Sequence, residues 1–174
     1  MRHAIDEWAT RLAEAAVPDE AELAADVADA YIAGGRDRDE LFRSSASVPG
    51  GFDPGAMMVA FPFVLSAVVA SGQLLRWLLD SGVASLPSLV RDVIELRDRR
   101  RGNTGRPDEG DASPARSEHA ELSRTFDTIV AELADSGMEP ERGELIAGRV
   151  LRALLDDPRG TRTFLDTVDP VAEP

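Results

Sequence analysis

The sequence contains neither cysteine nor lysine. Without cysteine, the chain has no disulfide, no thiolate-bound iron–sulfur cluster and no thiol nucleophile, and its redox compartment is left undetermined. All 19 basic residues are therefore arginine. GC-rich codon usage accounts for this bias; a demand for guanidinium chemistry, or an acidic surface suited to high salt, would account for it too.

Positive charge and aromatic residues are both scarce. The chain has 32 acidic residues against 19 basic ones, which gives a formal net charge of −13. Because affinity for nucleic acid comes from basic side chains that neutralise phosphates, this balance argues against nucleic-acid binding. Aromatic residues make up only 5% of the sequence, so a hydrophobic core has to be built mainly from Leu, Val, Ile and Ala.

Motifs that would indicate an enzyme or a cofactor site do not appear in the sequence. Its two histidines, His3 and His119, are far apart, and no ligand spacing typical of a metal site accompanies them. No serine stands in a nucleophile elbow, and no glycine-rich loop is followed by the lysine of a phosphate loop. The sequence therefore predicts a non-enzymatic protein with no cofactor, no bound metal and no small-molecule ligand.

Apolar residues recur at helical spacing through most of the chain, and no stretch alternates like a strand. Gly34 and Gly137 stand where helices need to end, and Pro140 suits the first turn of a helix. The fold class is predicted to be all-α. The predicted helices cover 3–16, 19–33, about 37–42, 86–101, 117–136, 140–155 and a short segment before residue 168.

The first and last helical hairpins resemble each other weakly. Residues 12–25 align with residues 133–148 after one insertion, so that Pro18 matches Pro140 and Leu23 matches Leu145. One interpretation is an internal repeat whose two copies pack together, since one hairpin is too small to bury a core alone. The other is that any two acidic amphipathic hairpins would align this well.

Residues 55–79, called the apolar segment below, form the longest hydrophobic run. No charged residue occurs from Pro54 to Leu75. As a helix these 22 residues would rise about 33 Å, close to the roughly 30 Å hydrocarbon thickness of a bilayer. Arg76 and Trp77 follow directly, where a guanidinium and an indole suit the membrane interface. The length therefore favours a membrane helix.

The only net-positive part of the chain follows the apolar segment, because residues 76–106 carry seven arginines and four acidic residues. Under the positive-inside rule this side would be cytoplasmic. The acidic N-terminal residues do not resemble a secretion signal, so the predicted location is the cytoplasm or its membrane. The run at 97–101 also suits a helix C-terminus or an acidic partner. The predicted basic boundary consists of Arg76, Arg97, Arg99, Arg100 and Arg101.

A buried core helix or an interface between copies of the chain explains the apolar segment equally well, and a groove that binds a partner is a further alternative. A helix that is surrounded by amphipathic helices is apolar on all sides, and Gln73 and two serines interrupt the run. A spanning helix would also separate the two similar hairpins across the bilayer. The residues predicted to form the membrane or oligomer interface are Met57, Phe61, Phe63, Val64, Val68, Leu75 and Trp77.

These observations predict a small bundle of two amphipathic hairpins around one long apolar central helix. We predict an accessory or adaptor protein that acts through protein contacts and is anchored to a membrane or to copies of itself. The alternative is a fully soluble subunit of a larger assembly. The third class of function is an enzyme. Packing or partner contact is expected from Ile146, Val150 and Leu154. The predicted parts are an acidic hairpin (1–48), the apolar and basic helices (49–101), a flexible linker (102–116), a second hairpin (117–168) and a tail (169–174).

Overall fold

A computed structural model describes residues 2–46, 60–81 and 114–168 of the chain. Side chains are described for residues 5–43, 60–81 and 119–168. Within these ranges all regular structure is helical, which confirms the all-α prediction. The helices are α1 (Arg2–Ala16), a 3₁₀ helix (Pro18–Leu23), α2 (Ala24–Ala33), α3 (Gly35–Ala46), α4 (Phe61–Ala70), α5 (Gly72–Asp80), α6 (Pro114–Asp135), α7 (Pro140–Asp156) and α8 (Pro158–Val168).

The N-terminal helices differ from their prediction in two elements. The sequence predicted one helix over 19–33, but the first turns are a 3₁₀ helix and α2 begins only at Ala24. Pro18 lies in the first turn of the 3₁₀ helix, where its missing N–H costs no hydrogen bond. Gly34 ends α2 with a φ of 68°, a conformation that glycine adopts without steric cost. The following helix, α3, extends further on both sides than the predicted 37–42.

The apolar segment does not form the single long central helix that the sequence predicted. Its described part is two helices, α4 and α5, whose axes differ by 59°. Ser71 lies at the break, and its buried hydroxyl donates hydrogen bonds to the carbonyl oxygens of Ala67 (2.7 Å) and Val68 (3.1 Å). Gly72 follows. A Ser–Gly pair is a recognised cause of helix kinks, because the hydroxyl competes for main-chain carbonyls and glycine resists bending least.

The C-terminal helices begin and end at local signals. The first, α6, begins at Pro114, so the last residues of the predicted linker at 102–116 are helical. At its other end Gly137 adopts a φ of 88°. Hydrogen bonds from Met138 N to Leu133 O (3.1 Å) and from Gly137 N to Ala134 O (2.9 Å) complete a Schellman cap. The next helix, α7, starts at Pro140 as the sequence predicts.

The core is one continuous cluster to which helices from both ends of the chain contribute. The first apolar helix, α4, packs mainly against α6 and α2, with smaller contacts to α1 and α3, and α5 packs against α6 and α8. Helix α1 also packs against α7, so the first and last hairpins touch each other. Val64, Val68 and Leu75 are fully buried. The chain's own helices therefore cover the described part of the apolar segment.

Among the described helices, none is by itself long and apolar enough to cross a bilayer. Taken together as a bent pair, α4 and α5 have the length and composition of a membrane span.

Candidate functional site

The seven residues predicted for the membrane or oligomer interface differ in their burial. Most are buried inside the chain: Phe61, Val64, Val68 and Leu75. Phe63 is partly buried and stacks edge-to-face on Phe42 of α3, with ring centroids 5.4 Å apart. Trp77 is 43% exposed, and Met57 lies outside the described residues.

The start of α4 is held by a residue that sequence reasoning missed. Glu20, on the 3₁₀ helix, is only 8% exposed. Its two carboxylate oxygens accept hydrogen bonds from the N–H groups of Ala60 and Phe61, both at 2.8 Å. Pro62 has no N–H, and the N–H groups of Phe63 and Val64 bond to the carbonyl of Ala60. The carboxylate thus completes the hydrogen bonding of a helix end that would otherwise carry two buried, unsatisfied donors.

Glu20 acts where no local residue can. The N-cap position of α4 is Ala60, which has no side-chain hydrogen-bonding group, and the residues before it are apolar. Serine, threonine, aspartate or asparagine normally fills that position. A carboxylate also complements the positive end of the helix dipole. The sequence showed that the apolar segment has no local residue to cap the start of its helix. Nothing in the sequence indicated that a residue 40 positions earlier would supply the cap.

Arg76 is the one residue of the predicted basic boundary that the structure describes, and it forms hydrogen bonds with another helix of the bundle. The guanidinium of Arg76 donates to Asp166 Oδ1 (3.3 Å) and to the carbonyl of Leu165 (3.0 Å) in the last turn of α8. Nearby, Arg162 of α8 forms an ion pair with Asp80 of α5. These contacts join α5 to α8. The rest of the boundary, Arg97, Arg99, Arg100 and Arg101, lies outside the described residues.

A second polar cluster joins α1 to the start of α8. The Trp8 indole stacks on Phe164, with centroids 6.1 Å apart, and the Arg11 guanidinium lies 5.0 Å from the Trp8 ring. Arg11 also forms an ion pair with Asp156 at 3.1 Å. Next to it, Asp157 accepts the N–H of Gly160 at 3.0 Å and caps α8. Asp157 therefore caps α8, and Asp156 joins α7 to α1 through Arg11.

Gly160 allows this packing, and we expect Gly160→Ala to destabilise the protein. A Cβ at this position would lie 2.5 Å from the Trp8 ring. Relieving such overpacking costs about 1–3 kcal/mol. This cost exceeds the gain of roughly 1 kcal/mol that alanine brings through its better helix propensity. Gly143→Ala is the matched control, because its Cβ would meet only Leu133 Cβ at an ordinary 3.7 Å. Chemical denaturation should show opposite signs for the two variants. Equal stabilisation would contradict the close contact at Gly160.

The predicted packing or partner face of α7 is fully used inside the chain. Ile146, Val150 and Leu154 are all buried, and α7 packs against α1, α6 and α8. The opposite side of the helix is the exposed one. It carries Leu145, which is 55% exposed, together with the exposed arginines that share its side of the helix, namely Arg142, Arg149 and Arg152. We call these four residues the basic face.

A second exposed face has the opposite charge. Leu23, at the end of the 3₁₀ helix, is 52% exposed. Around it and along α2 lie exposed carboxylates, and Leu23 with these residues is called the acidic face: Asp19, Glu22, Asp26 and Asp29. In the part of the chain that the structure describes, no ion pair involves the charged residues of either face. Within the described ranges, their charges are therefore left for a partner.

No metal centre forms among the described residues. In that part of the chain, no group of three His, Asp or Glu side chains is close enough to hold an ion. The Nε2 atom of His119 is covered and, within the described ranges, has no hydrogen-bond partner. A single such atom does not make a ligand site.

Comparisons with models of protein families, with curated proteins and with solved structures give no match for this chain.

Proposed function

We propose that this chain is a non-enzymatic helical accessory protein that works as a subunit of a larger assembly through protein–protein contacts. The proposal is supported by one observation: the described residues use most of their apolar and buried polar groups inside the fold. Phe61, Val64 and Leu75 are buried against other helices. Glu20 holds a helix end. Both uses serve the fold.

What remains on the surface suits contact with proteins. Leu23, Trp77 and Leu145 are the large apolar side chains that are exposed among the described residues. Two of them lie within faces of strong and opposite charge. Apolar side chains that are surrounded by charges combine affinity from burial with orientation from electrostatics. This combination supports a binding role.

A membrane-anchored form of the same function is the second candidate. The observation that favours it is the bent pair of α4 and α5, which passes the test for a membrane span by length and composition. The burial of these helices inside the bundle supports the first candidate instead. Fractionation separates the two.

The test combines crosslinking with fractionation. A photo-crosslinking residue replaces Trp77 or Leu145 in cells, which are irradiated, broken and washed with alkali. We expect to find the chain in the supernatant, joined covalently to protein. The same crosslinking residue placed at exposed Glu40 of α3 is the control and should give fewer adducts. The chain in the washed membrane pellet would favour the anchored form. A supernatant without adducts would contradict a function through protein contacts.

A further inference from the structure

The acidic and basic faces lie in matching places on the two hairpins. Leu23 and Leu145 each follow by five residues the proline in the first turn of their element, Pro18 and Pro140. Both leucines are more than half exposed. Carboxylates surround Leu23, whereas Leu145 shares the exposed side of its helix with three arginines and one exposed carboxylate, Glu141. The two hairpins therefore present similar apolar centres with opposite charges around them.

We propose that the acidic face of one copy of the chain binds the basic face of another. The inference rests on the proposed function, in that it names the partner as a second copy. Four carboxylates on one face meet three guanidinium groups on the other, and Leu23 and Leu145 meet in the middle. Carboxylates are the groups that arginine binds in bidentate geometry.

The geometry of α7 makes the basic face continuous. Arg142, Leu145, Arg149 and Arg152 follow each other at alternating steps of three and four residues, which places them along one side of the helix. The next position on that side is Asp156, which is paired with Arg11 and so marks the end of the basic face. On the other hairpin, Asp26 and Asp29 lie three residues apart on α2, and Glu22 precedes them on the 3₁₀ helix.

Two different faces make the contact heterologous. Each copy has one acidic face and one basic face, so a copy that has bound one neighbour keeps a free face for the next. Growth of a chain of copies, or closure into a ring, follows from this arrangement. A two-fold dimer would instead need both faces of each copy to meet the opposite faces of the other copy at the same time, and it would stop at two copies.

Net charge sets the salt dependence of this association. Whole copies repel one another because each carries a formal charge of −13. Salt screens this repulsion beyond a Debye length of about 8–10 Å, while charges in contact are screened less. We therefore expect the strongest association at intermediate ionic strength, with loss both at very low salt and near about 1 M.

The deciding experiment uses two variants that each lose one face. Arg149→Glu with Arg152→Glu removes the basic face, and Asp26→Arg with Asp29→Arg removes the acidic one. Sedimentation of the full-length wild type at rising concentration should show species of at least twice its 18.7 kDa mass. Each variant alone should associate about tenfold more weakly or worse, since two attractive pairs become repulsive.

Mixing the two variants gives the sharpest result. Each retains the face that the other lacks, and the two reversed faces are also opposite in charge, so a one-to-one mixture should recover the association that each variant loses on its own. The control, Asp39→Arg with Glu40→Arg, alters net charge as the acidic-face variant does but lies on α3 and should associate like the wild type. Thermal melts verify that every variant is folded.

A wild type that stays monomeric at all salt concentrations, or a mixture that stays monomeric, overturns the proposal. The proposed function has a separate readout. If crosslinking in cells joins the chain to other proteins while the purified wild type stays monomeric, self-association fails and the function through protein contacts stands. If both assays give no contact, both proposals fail.

Discussion

Glu20→Ala is expected to lower the free energy of unfolding by about 3 kcal/mol, because it leaves the buried N–H groups of Ala60 and Phe61 without acceptors. Hydrogen bonds to a charged group contribute about 1.5–3 kcal/mol each, and an unsatisfied buried donor costs about 1–3 kcal/mol. The substitution also removes a negative charge from the positive end of the α4 dipole. Water reaches this place poorly, since Ala60 and Phe61 are both buried.

Urea denaturation followed by circular dichroism measures this change. Glu22→Ala is the matched control, since Glu22 is exposed two residues away, and it should shift stability by no more than about 0.5 kcal/mol. Glu20→Gln should fall between the two, because its amide has one accepting oxygen for two donors. If Glu20→Ala and Glu22→Ala lose the same small amount, the carboxylate does not hold the start of α4.

Leu154→Ala is expected to cost about 3 kcal/mol, the middle of the range for removing a buried leucine side chain. Leu154 is fully buried on a helix that packs against α1, α6 and α8. Truncation removes apolar burial and leaves a cavity whose walls relax only in part. A free partner-binding face would behave differently, because truncation there would weaken binding and leave folding unchanged.

The matched control is Leu145→Ala on the same helix. Leu145 is 55% exposed, so its truncation should change the free energy of unfolding by less than about 0.5 kcal/mol. Crosslinking and sedimentation should show the reverse order, with Leu145→Ala weakening association and a still-folded Leu154→Ala keeping it. Equal losses of stability in Leu154→Ala and Leu145→Ala would contradict the assignment of Leu154 to the buried side of α7 and of Leu145 to its exposed side.

Signals that act over one or two helical turns made much of the fold predictable. The all-α class followed from apolar residues at helical spacing. Gly137 closed its helix because a Schellman cap needs a residue with positive φ. Pro140 began the next helix because the first turn does not need its N–H. In each case the deciding groups lie within a few residues of one another.

The candidate site was less predictable, for reasons that particular residues illustrate. Ile146, Val150 and Leu154 were evident as an apolar face, but periodicity does not say whether such a face meets the same chain or another. Arg76 was placed at a membrane boundary because it follows the apolar segment, whereas its guanidinium binds α8, some 90 positions later. The acidic and basic faces emerged only once the buried sides of their helices were known.

The apolar segment shows which features of the fold follow from the local sequence and which depend on distant parts of the chain. By itself the sequence determined that residues 55–79 must be shielded from water, that the chain is helical and that its surface is strongly acidic, because composition and periodicity carry this information locally. Only the tertiary structure decided that α4 and α5 meet at a 59° bend, that helices from both hairpins cover them, and that Glu20 holds their start. The physical reason is that burial and hydrogen bonding are satisfied by any suitable group that folding brings near, however distant it is along the chain.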